Sequence, residues 1–492
     1  MLLQSIVDHI STDLVKRVKQ PQTAFLLEKD KGKRRSSRHD QAQTRQAEAK
    51  RIGERRRASY LCTSSMCAFS VDSSTGVLSR KGGAECGAPG CGFLSFSGMG
   101  ITAIGDGAFA GMVHLTVLDL SSNSLTSISH GDLKDLTSLK TLNIRSNKLA
   151  ELYNGTFQGL SLLESLSLEY NSLTSIEAGA FQGLSSLPSL SLRSNSLSAI
   201  RSGTFEGLSQ LRELDLSDNA LGDLTAVGAF SGMPELRTLN MQGQRANQWH
   251  IANGTFSGIF SNLTWLDLSR NLDHEWWQYT GGYWGSALNM RSTIELGAFD
   301  TLTGLEHLDL SYAKLGDGDG GLPAGLFLQC RSLRSLYLHN NLMSTIADYA
   351  FAGLGSLALL HLHGNGLRTI TDYTFAGLED SLSTLYLQHN QIRSISNKAF
   401  CGFRGLSDLR LYQNSLSVLP VNVFMFTNMT TYIGIDLGSN PLICKPGSSS
   451  NIQLYGLGGS DLPSCPSEVS FDYFGTPRYV VKLQCKYYIM YQ

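Results

Sequence analysis

The stretch from residue 115 to residue 200 states one pattern four times: "LTVLDLSSNSLTSI" (115–128), "LKTLNIRSNKLAEL" (139–152), "LESLSLEYNSLTSI" (163–176) and "LPSLSLRSNSLSAI" (187–200). The pairs Leu118/Leu120, Leu142/Ile144, Leu166/Leu168, Leu190/Leu192 and Leu214/Leu216 stand 24 residues apart. Self-similarity at that period is the mark of a solenoid. The alternating Leu-x-Leu segment predicts a short strand with every second side chain turned inward. Asn123, Asn147, Asn171, Asn195 and Asn219 recur where the chain must turn. A buried amide there is expected to bond the backbone of its own turn and the next, satisfying polar groups that otherwise cost about 1–3 kcal/mol each. Phe109, Phe157, Phe181, Phe205 and Phe230 predict a second spine, stacked on the outer side of the coil. One unit encloses no core; only stacked neighbours do.

The full unit reads Leu-x-x-Leu-x-Leu-x-x-Asn-x-Leu-x-x-Ile-x-x-x-x-Phe-x-Gly-Leu. It resembles the leucine-rich-repeat superfamily, in the 24-residue form of Toll-like ectodomains and Slit-like proteins, over residues 98–444. The resemblance implies an α/β repeat solenoid. That is a horseshoe with a parallel β-sheet on its concave face and irregular or 3-10 turns on its convex face.

At 492 residues the chain exceeds one ordinary globular core, but a solenoid lengthens without needing a second one. The net charge of −1 hides an asymmetry. Residues 1–60 hold 15 Lys/Arg against 7 Asp/Glu, so the remainder is acidic, with 25 against 34. A mildly acidic array argues against nucleic-acid binding. No apolar run approaches the roughly 20 residues of a membrane-spanning helix.

Residues 1–61 stand outside the array. Leu2, Leu3, Ile6, Val7, Ile10, Leu14 and Val18 suit one face of a short helix. Asp8, His9 and Asp13 interrupt the apolar segment a secretory signal would need, and no signal is read there. From Lys29 to Arg57 the chain is charged and nearly free of large apolar residues, the composition of a solvated, disordered tail. Its run "KGKRRSSRHD" also fits a nuclear address or a patch for an anionic partner, but composition favours the tail.

Residues 62–97 read as an N-terminal cap in which Cys62, Cys67, Cys86 and Cys91 form two Cys-x4-Cys pairs. A disulfide-pinned cap would cover the array's open apolar end, with three pairings open to it. Zinc is the rival, disfavoured without a histidine or a tighter knuckle. The array itself spans residues 98–440. Residues 441–492, opening "NPLICKP", resemble the family's cysteine-bearing C-terminal cap. Pro441 and Cys444 match, Cys465 and Cys485 follow, but Lys445 stands where a second cysteine is expected. Three cysteines leave one unpaired unless Cys401 joins them, so the cap reads as incomplete. Cys330 occupies a core leucine position and is expected to behave as a buried hydrophobe.

Regularity breaks once. Leu266/Leu268 is followed by Leu308/Leu310 only after 42 residues, which places an insertion at about 272–291 in "NLDHEWWQYTGGYWGSALNM". All five tryptophans fall in or near it: Trp249, Trp265, Trp276, Trp277 and Trp284. Insertions map to a loop on one face, often the binding face, and exposed aromatics are what interface hot spots use. The alternative is a loop folded back over an irregular stretch of coil.

Before the insertion the concave positions, Asp119, Asn143, Arg145, Ser167, Glu169, Ser191, Arg193 and Asp215, are small or mixed in charge, a solvated face. After it their character changes to His307, Tyr312, Tyr337, His339, His361, His363, Tyr386, His389 and Tyr412. With strands about 4.8 Å apart these form one Tyr/His band, expected with Trp276, Trp277 and Trp284 to be the surface that takes a protein ligand. The histidines also admit a metal, but zinc needs three to converge at about 2.0–2.1 Å. Side chains carried in a row on strands are expected to splay, so no metal site is predicted. Histidine charging near pH 6 is the milder expectation, as a means of tuning binding.

Sequons at Asn154, Asn253, Asn262 and Asn428 are glycosylation candidates and weak support for secretion. No catalytic constellation, phosphate cradle or cofactor motif is present. The leading function is a non-enzymatic protein-recognition module, extracellular or cell-surface associated, receptor-like or matrix/adhesion-like. An intracellular, cytoplasmic scaffold or adaptor is the alternative, carried by the missing signal and the basic tail.

Overall fold

The computed structural model describes residues 68–81, 91–246, 249–259, 261–271, 292–316, 321–419, 433–441 and 479–482, all within one compact unit, Ala58–Gln492. The basic tail, Cys62, Cys67, Cys86, the insertion with Trp276, Trp277 and Trp284, Asn428, and Cys444, Cys465 and Cys485 lie outside the described residues.

Fifteen short strands hydrogen-bond side by side into one parallel sheet that follows chain order from Phe93–Ser95 to Tyr479–Lys482. The register is the one the leucine spacing predicts. Leu118 pairs with Leu142, Leu142 with Leu166, Leu166 with Leu190 and Leu190 with Leu214. The same row runs on through Leu239, Leu266, Leu308, Leu336, Leu360, Leu385, Leu409 and Ile435. These side chains are buried, and the residues flanking each of them turn to the other, open face of the sheet. A slip of one residue would bring every leucine to that face, losing about 1.5–3 kcal/mol of burial per side chain. The last pairing, Ile433–Asp436 with Tyr479–Lys482, adds a strand from the region read as the C-terminal cap.

The asparagine row holds adjacent turns together, with one change from expectation. Asn147 Nδ2 donates to the carbonyl of Ile144 in its own turn (3.0 Å) and of Leu120 in the preceding one (3.0 Å). Its Oδ1 accepts from Leu125 N, again in the preceding turn (3.0 Å). The amide therefore reaches back to the turn already laid down rather than forward to the next. Gln244 stands in for asparagine once, its longer side chain bonding Leu216 O, Met241 O and Leu221 N. Ala313 occupies the same place beside the insertion and carries no amide side chain.

The residue before each of these positions is left-handed: φ is 56° at Ser122, 57° at Ser146, 54° at Tyr170, 56° at Tyr312 and 56° at His389. A strand must reverse sharply there to turn its next side chain inward, and an L-residue tolerates this at some expense in energy.

Phenylalanines form the second spine. Phe157, Phe181, Phe205, Phe230 and Phe256 stack in succession at ring separations of 6.0, 6.2, 6.1 and 5.7 Å. Between Phe109 and Phe157 the short helix His130–Leu133 supplies buried Leu133 instead. The back of the coil was expected to be irregular or 3-10 turns. It also carries short parallel strands: Glu151–Leu152 with Ser175–Ile176, Thr369–Ile370 with Ser394–Ile395, and Asp223–Leu224, Trp249–Ile251 and Ser292–Ile294 together. Like-facing segments of neighbouring turns lie one strand spacing apart wherever both run extended.

At the N-terminal end an antiparallel hairpin, Phe69–Val71 with Val77–Arg80, covers the first coil. Phe69 lies edge-on to Phe96 at 5.0 Å, and Leu78 is wholly buried. Cys91 is disulfide-bonded. Among the described residues no helix is long and apolar enough to cross a membrane.

Candidate functional site

The sheet closes across the insertion without a break. Trp265, Leu266 and Asp267 pair with His307, Leu308 and Asp309, although 42 residues separate the two sets in sequence. From there to Asp436 the open face changes chemistry. The residue between the two strand leucines runs Asp267, Asp309, Tyr337, His361, Tyr386, Arg410, Asp436, each paired with the next.

These side chains pack on one another rather than on the core. The rings of Tyr337 and His361 meet edge-on at 4.8 Å, and those of His361 and Tyr386 lie tilted against each other at 4.5 Å. Arg410 lays its guanidinium over the Tyr386 ring at 4.1 Å and donates from Nη2 to Asp408 at 2.9 Å. A cation over an aromatic face contributes about 0.5–1 kcal/mol at an exposed site. A second row follows the second leucine of each strand. In it His339 and His363 stack nearly parallel, 4.4 Å apart at 11°.

The band is therefore continuous, though not flat. Tyr312 and His389 sit in the left-handed turn beyond the strand, at the edge of the face. Tyr312 meets His339 edge-on at 5.5 Å, and His389 meets Tyr412 at 5.2 Å. Only His389 of the nine is exposed; the rest are half-buried by their neighbours. At the insertion side the ring of Trp265, 41% exposed, lies tilted against that of His307 at 4.9 Å. Trp249, in contrast, is wholly buried and belongs to the core.

Burial changes the electrostatics. It pushes the imidazoles of His307 and His363 below their usual range, that of His339 down to about 3 and that of His361 down to about 4. Neighbouring histidines add to the effect at the last two. His339 and His361 thus stay neutral near pH 6, contrary to the expectation that the histidines charge there. Burial acts the other way on the acids, raising Asp267, and Asp309 to about 6 with Asp267 as a further cause. Asp267, Asp309, Trp265 and Arg410 are missed when only the change to Tyr and His is followed. Reading the position between the strand leucines turn by turn finds all but Trp265, which stands one place before the leucine.

One ring nitrogen from each of His339, His361 and His363 lies within 4.8 Å of the others. The expected splay does not occur for these three: His361 ends its strand, His363 begins the turn after it, and the ring of His339 from the preceding turn stacks on that of His363. The Nδ1 atoms of His307, His339 and His363 are buried with no hydrogen-bond partner.

Elsewhere, Asn154, Asn253 and Asn262 are exposed. The threonines of the first two sequons, Thr156 and Thr255, are buried at 1% and 0%. So are Thr204 and Thr374, in the same position before the spine phenylalanine where no sequon exists. Threonine recurs there for the turn, which removes part of the significance of the sequons. Cys330 is wholly buried and its thiol pushed up to about 12, whereas Cys401 is exposed and free.

Family models describe the same repeats. "Leucine rich repeat" matches residues 94–149, 137–197 and 185–245, and "BspA type Leucine rich repeat region (6 copies)" matches residues 321–438. A search of curated proteins returns no match. Among solved structures, the Toll–Spatzle complex of Drosophila is similar at 20% identity and a TM-score of 0.52, over 72% of this chain and 51% of that one. This chain thus spans about half of it. An internalin of Listeria monocytogenes aligns at 19% identity and a TM-score of 0.41, over 72% of this chain and 82% of that chain. A TLR13–ssRNA13 complex aligns at 20% identity and a TM-score of 0.30, over 70% and 65%. At these identities the likeness to Toll is one of fold.

Proposed function

From the premise that this chain belongs to the leucine-rich-repeat proteins, a family of protein-interaction modules, we propose that it is a non-enzymatic, extracellular recognition module. Its protein ligand docks on the open sheet face between Asp309 and Tyr412, and Trp276, Trp277 and Trp284 of the insertion join in its recognition. The observation that carries this reading is the continuous layer of Tyr337, His361, Tyr386 and Arg410 on a face the core does not need. Tyrosine and arginine are enriched among the residues that dominate binding energy, and here each ring is already braced by the next. The disulfide at Cys91 and the exposed Asn154, Asn253 and Asn262 support an extracellular, receptor-like or adhesion-like setting. Toll, whose solved complex is with Spatzle, supplies an instance of this fold engaged with another protein.

The test replaces Tyr337, His361 and Tyr386 together with alanine and measures capture of partners from the organism's own extracellular fraction. Folding is expected to remain nearly intact and capture to be lost. Undiminished capture by a folded triple variant would sink the docking surface.

A second reading, an intracellular scaffold or adaptor, draws on the exposed free thiol of Cys401, which is unusual in an oxidising compartment. Mass spectrometry of native protein separates the two. Cys62, Cys67, Cys86 and Cys91 bridged support the extracellular setting, and all four free support the intracellular one.

A further inference from the structure

We propose that His339, His361 and His363 form a binding site for one divalent transition-metal ion, zinc foremost, on the open face of the sheet. It stands on the geometry of these three side chains and does not depend on the protein-ligand reading.

Repeat architecture brings them together. His339 and His363 follow the second leucine of consecutive turns, and the backbone bonds Leu338 N to His361 O (2.8 Å) and Asn340 N to His363 O (3.0 Å) lock those turns in register. His361 ends the strand Leu359–His361, and His363 lies two residues on, at the start of the turn that follows. The ring centres of His339 and His361 are 5.9 Å apart, and those of His361 and His363 5.4 Å.

Two observations then point to an ion. First, one nitrogen from each ring lies within 4.8 Å of the others. A tetrahedral zinc site with metal–nitrogen bonds of about 2.0–2.1 Å needs nitrogens roughly 3.4 Å apart. Small rotations of the imidazoles about their own side-chain bonds close that gap without moving the strands. Second, Nδ1 of both His339 and His363 is buried with no partner in the protein. Buried imidazole nitrogens ordinarily find a hydrogen bond or a metal. A shared ion gives the cluster the polar partner that the surrounding tyrosines do not.

Ligand type sets the class of metal. Three imidazoles suit zinc, copper and nickel and are poor ligands for calcium or magnesium. Three protein ligands also leave a coordination position open. The carboxylates that usually accept a hydrogen bond from a ligating histidine do not pair with these rings, and Arg270 and Arg410 bear on the cluster with positive charge. Affinity in the micromolar range is therefore expected, weaker than at a structural zinc centre.

The test is titration of the full chain, its accessible thiols first alkylated, with zinc chloride by isothermal calorimetry. Cobalt(II) absorption gives a second, spectroscopic readout of coordination by nitrogen. One ion per chain is expected, with binding weakened at least tenfold in His339→Ala, His361→Ala and His363→Ala and unchanged in His307→Ala. His363→Gln, which keeps size and polarity, should lose binding as His363→Ala does, and circular dichroism checks that each variant is folded. Absence of saturable binding in the wild type overturns the site. So does binding that survives in the folded His339→Ala/His361→Ala/His363→Ala triple variant.

Discussion

Asp267 and Asp309 face each other directly across neighbouring parallel strands, in register, on the half-buried face of the sheet. Each accepts a hydrogen bond from the backbone two residues on, Ser269 N at 2.9 Å and Ser311 N at 2.8 Å. Those bonds lower both carboxyls, but burial outweighs them. The pair lies where the chain spans its insertion, so the strands are held together there against like-charge repulsion.

That repulsion has a defined pH window. Asp309 titrates at about 6 in the folded protein against 3.8 unfolded, so the native state holds its proton more tightly. The stability linked to this group is fully present below about 3.8 and is lost as pH rises through 6. Asp309→Asn keeps the hydrogen bond from Ser311 N and removes the charge. At pH 7.5 it is expected to stabilise the protein by about 1–2 kcal/mol. Urea denaturation at pH 7.5 and pH 4.5 checks this, with the gain shrinking severalfold at the lower pH. An equal gain at both would show that charge is not its source.

Asn219 is wholly buried and bonds four backbone groups: Leu197 N at 3.1 Å, Leu192 O at 3.0 Å, Leu216 O at 2.9 Å and Ser217 O at 3.3 Å. Asn219→Ala leaves all four without that partner. A loss of about 2–4 kcal/mol is expected from equilibrium unfolding. Because each turn is held only by its neighbours, part of the unfolding should become separable at the site, seen as a lower denaturant slope. A loss below half a kcal/mol would show that water replaces the amide.

Thr156 and Asn154 separate folding from modification. Thr156 Oγ1 donates to Tyr153 O at 2.8 Å and accepts from Tyr153 N at 3.2 Å, while Asn154 is exposed. Thr156→Val is expected to lower stability by about 1 kcal/mol and Asn154→Gln to leave it unchanged when the protein is made without glycosylation. Thermal melts of the two variants decide it.

Two thiols should report the burial pattern. Cys401 is expected to react with iodoacetamide in the native protein, and Cys330, buried at a leucine position with its thiol pushed up to about 12, only after unfolding. Peptide mapping before and after denaturant distinguishes them. Native alkylation of Cys330 would show that the core opens at that turn.

The parts of this protein legible in the residues are those in which each turn repeats one job toward its neighbour. The leucine row, the Phe157–Phe256 stack and the amide row each recur about once per turn, at 24 to 26 residues along that stack, and the strands pair in the register that recurrence demands. The leucine row also resumes at Leu308, which pairs with Leu266. Harder to read were features that depend on side-chain angles or on surroundings. The direction in which the asparagines reach is one. Others are the left-handed turns that set Tyr312 and His389 at the edge, and the burial of Thr156 inside what looks like a modification signal.

Periodicity alone thus determined the solenoid, its register and which residues share the open face, since a strand's alternation and a recurring turn leave the backbone no other way to cover its leucines. Tertiary structure decided what those residues become once there. Packing of one ring on the next buries His339 and His361 enough to keep them neutral, forces Asp309 toward its protonated form and brings a nitrogen from each of three imidazoles within 4.8 Å of the others. None of that is carried by spacing, because desolvation and the meeting of side chains depend on torsions and neighbours that a repeat leaves free.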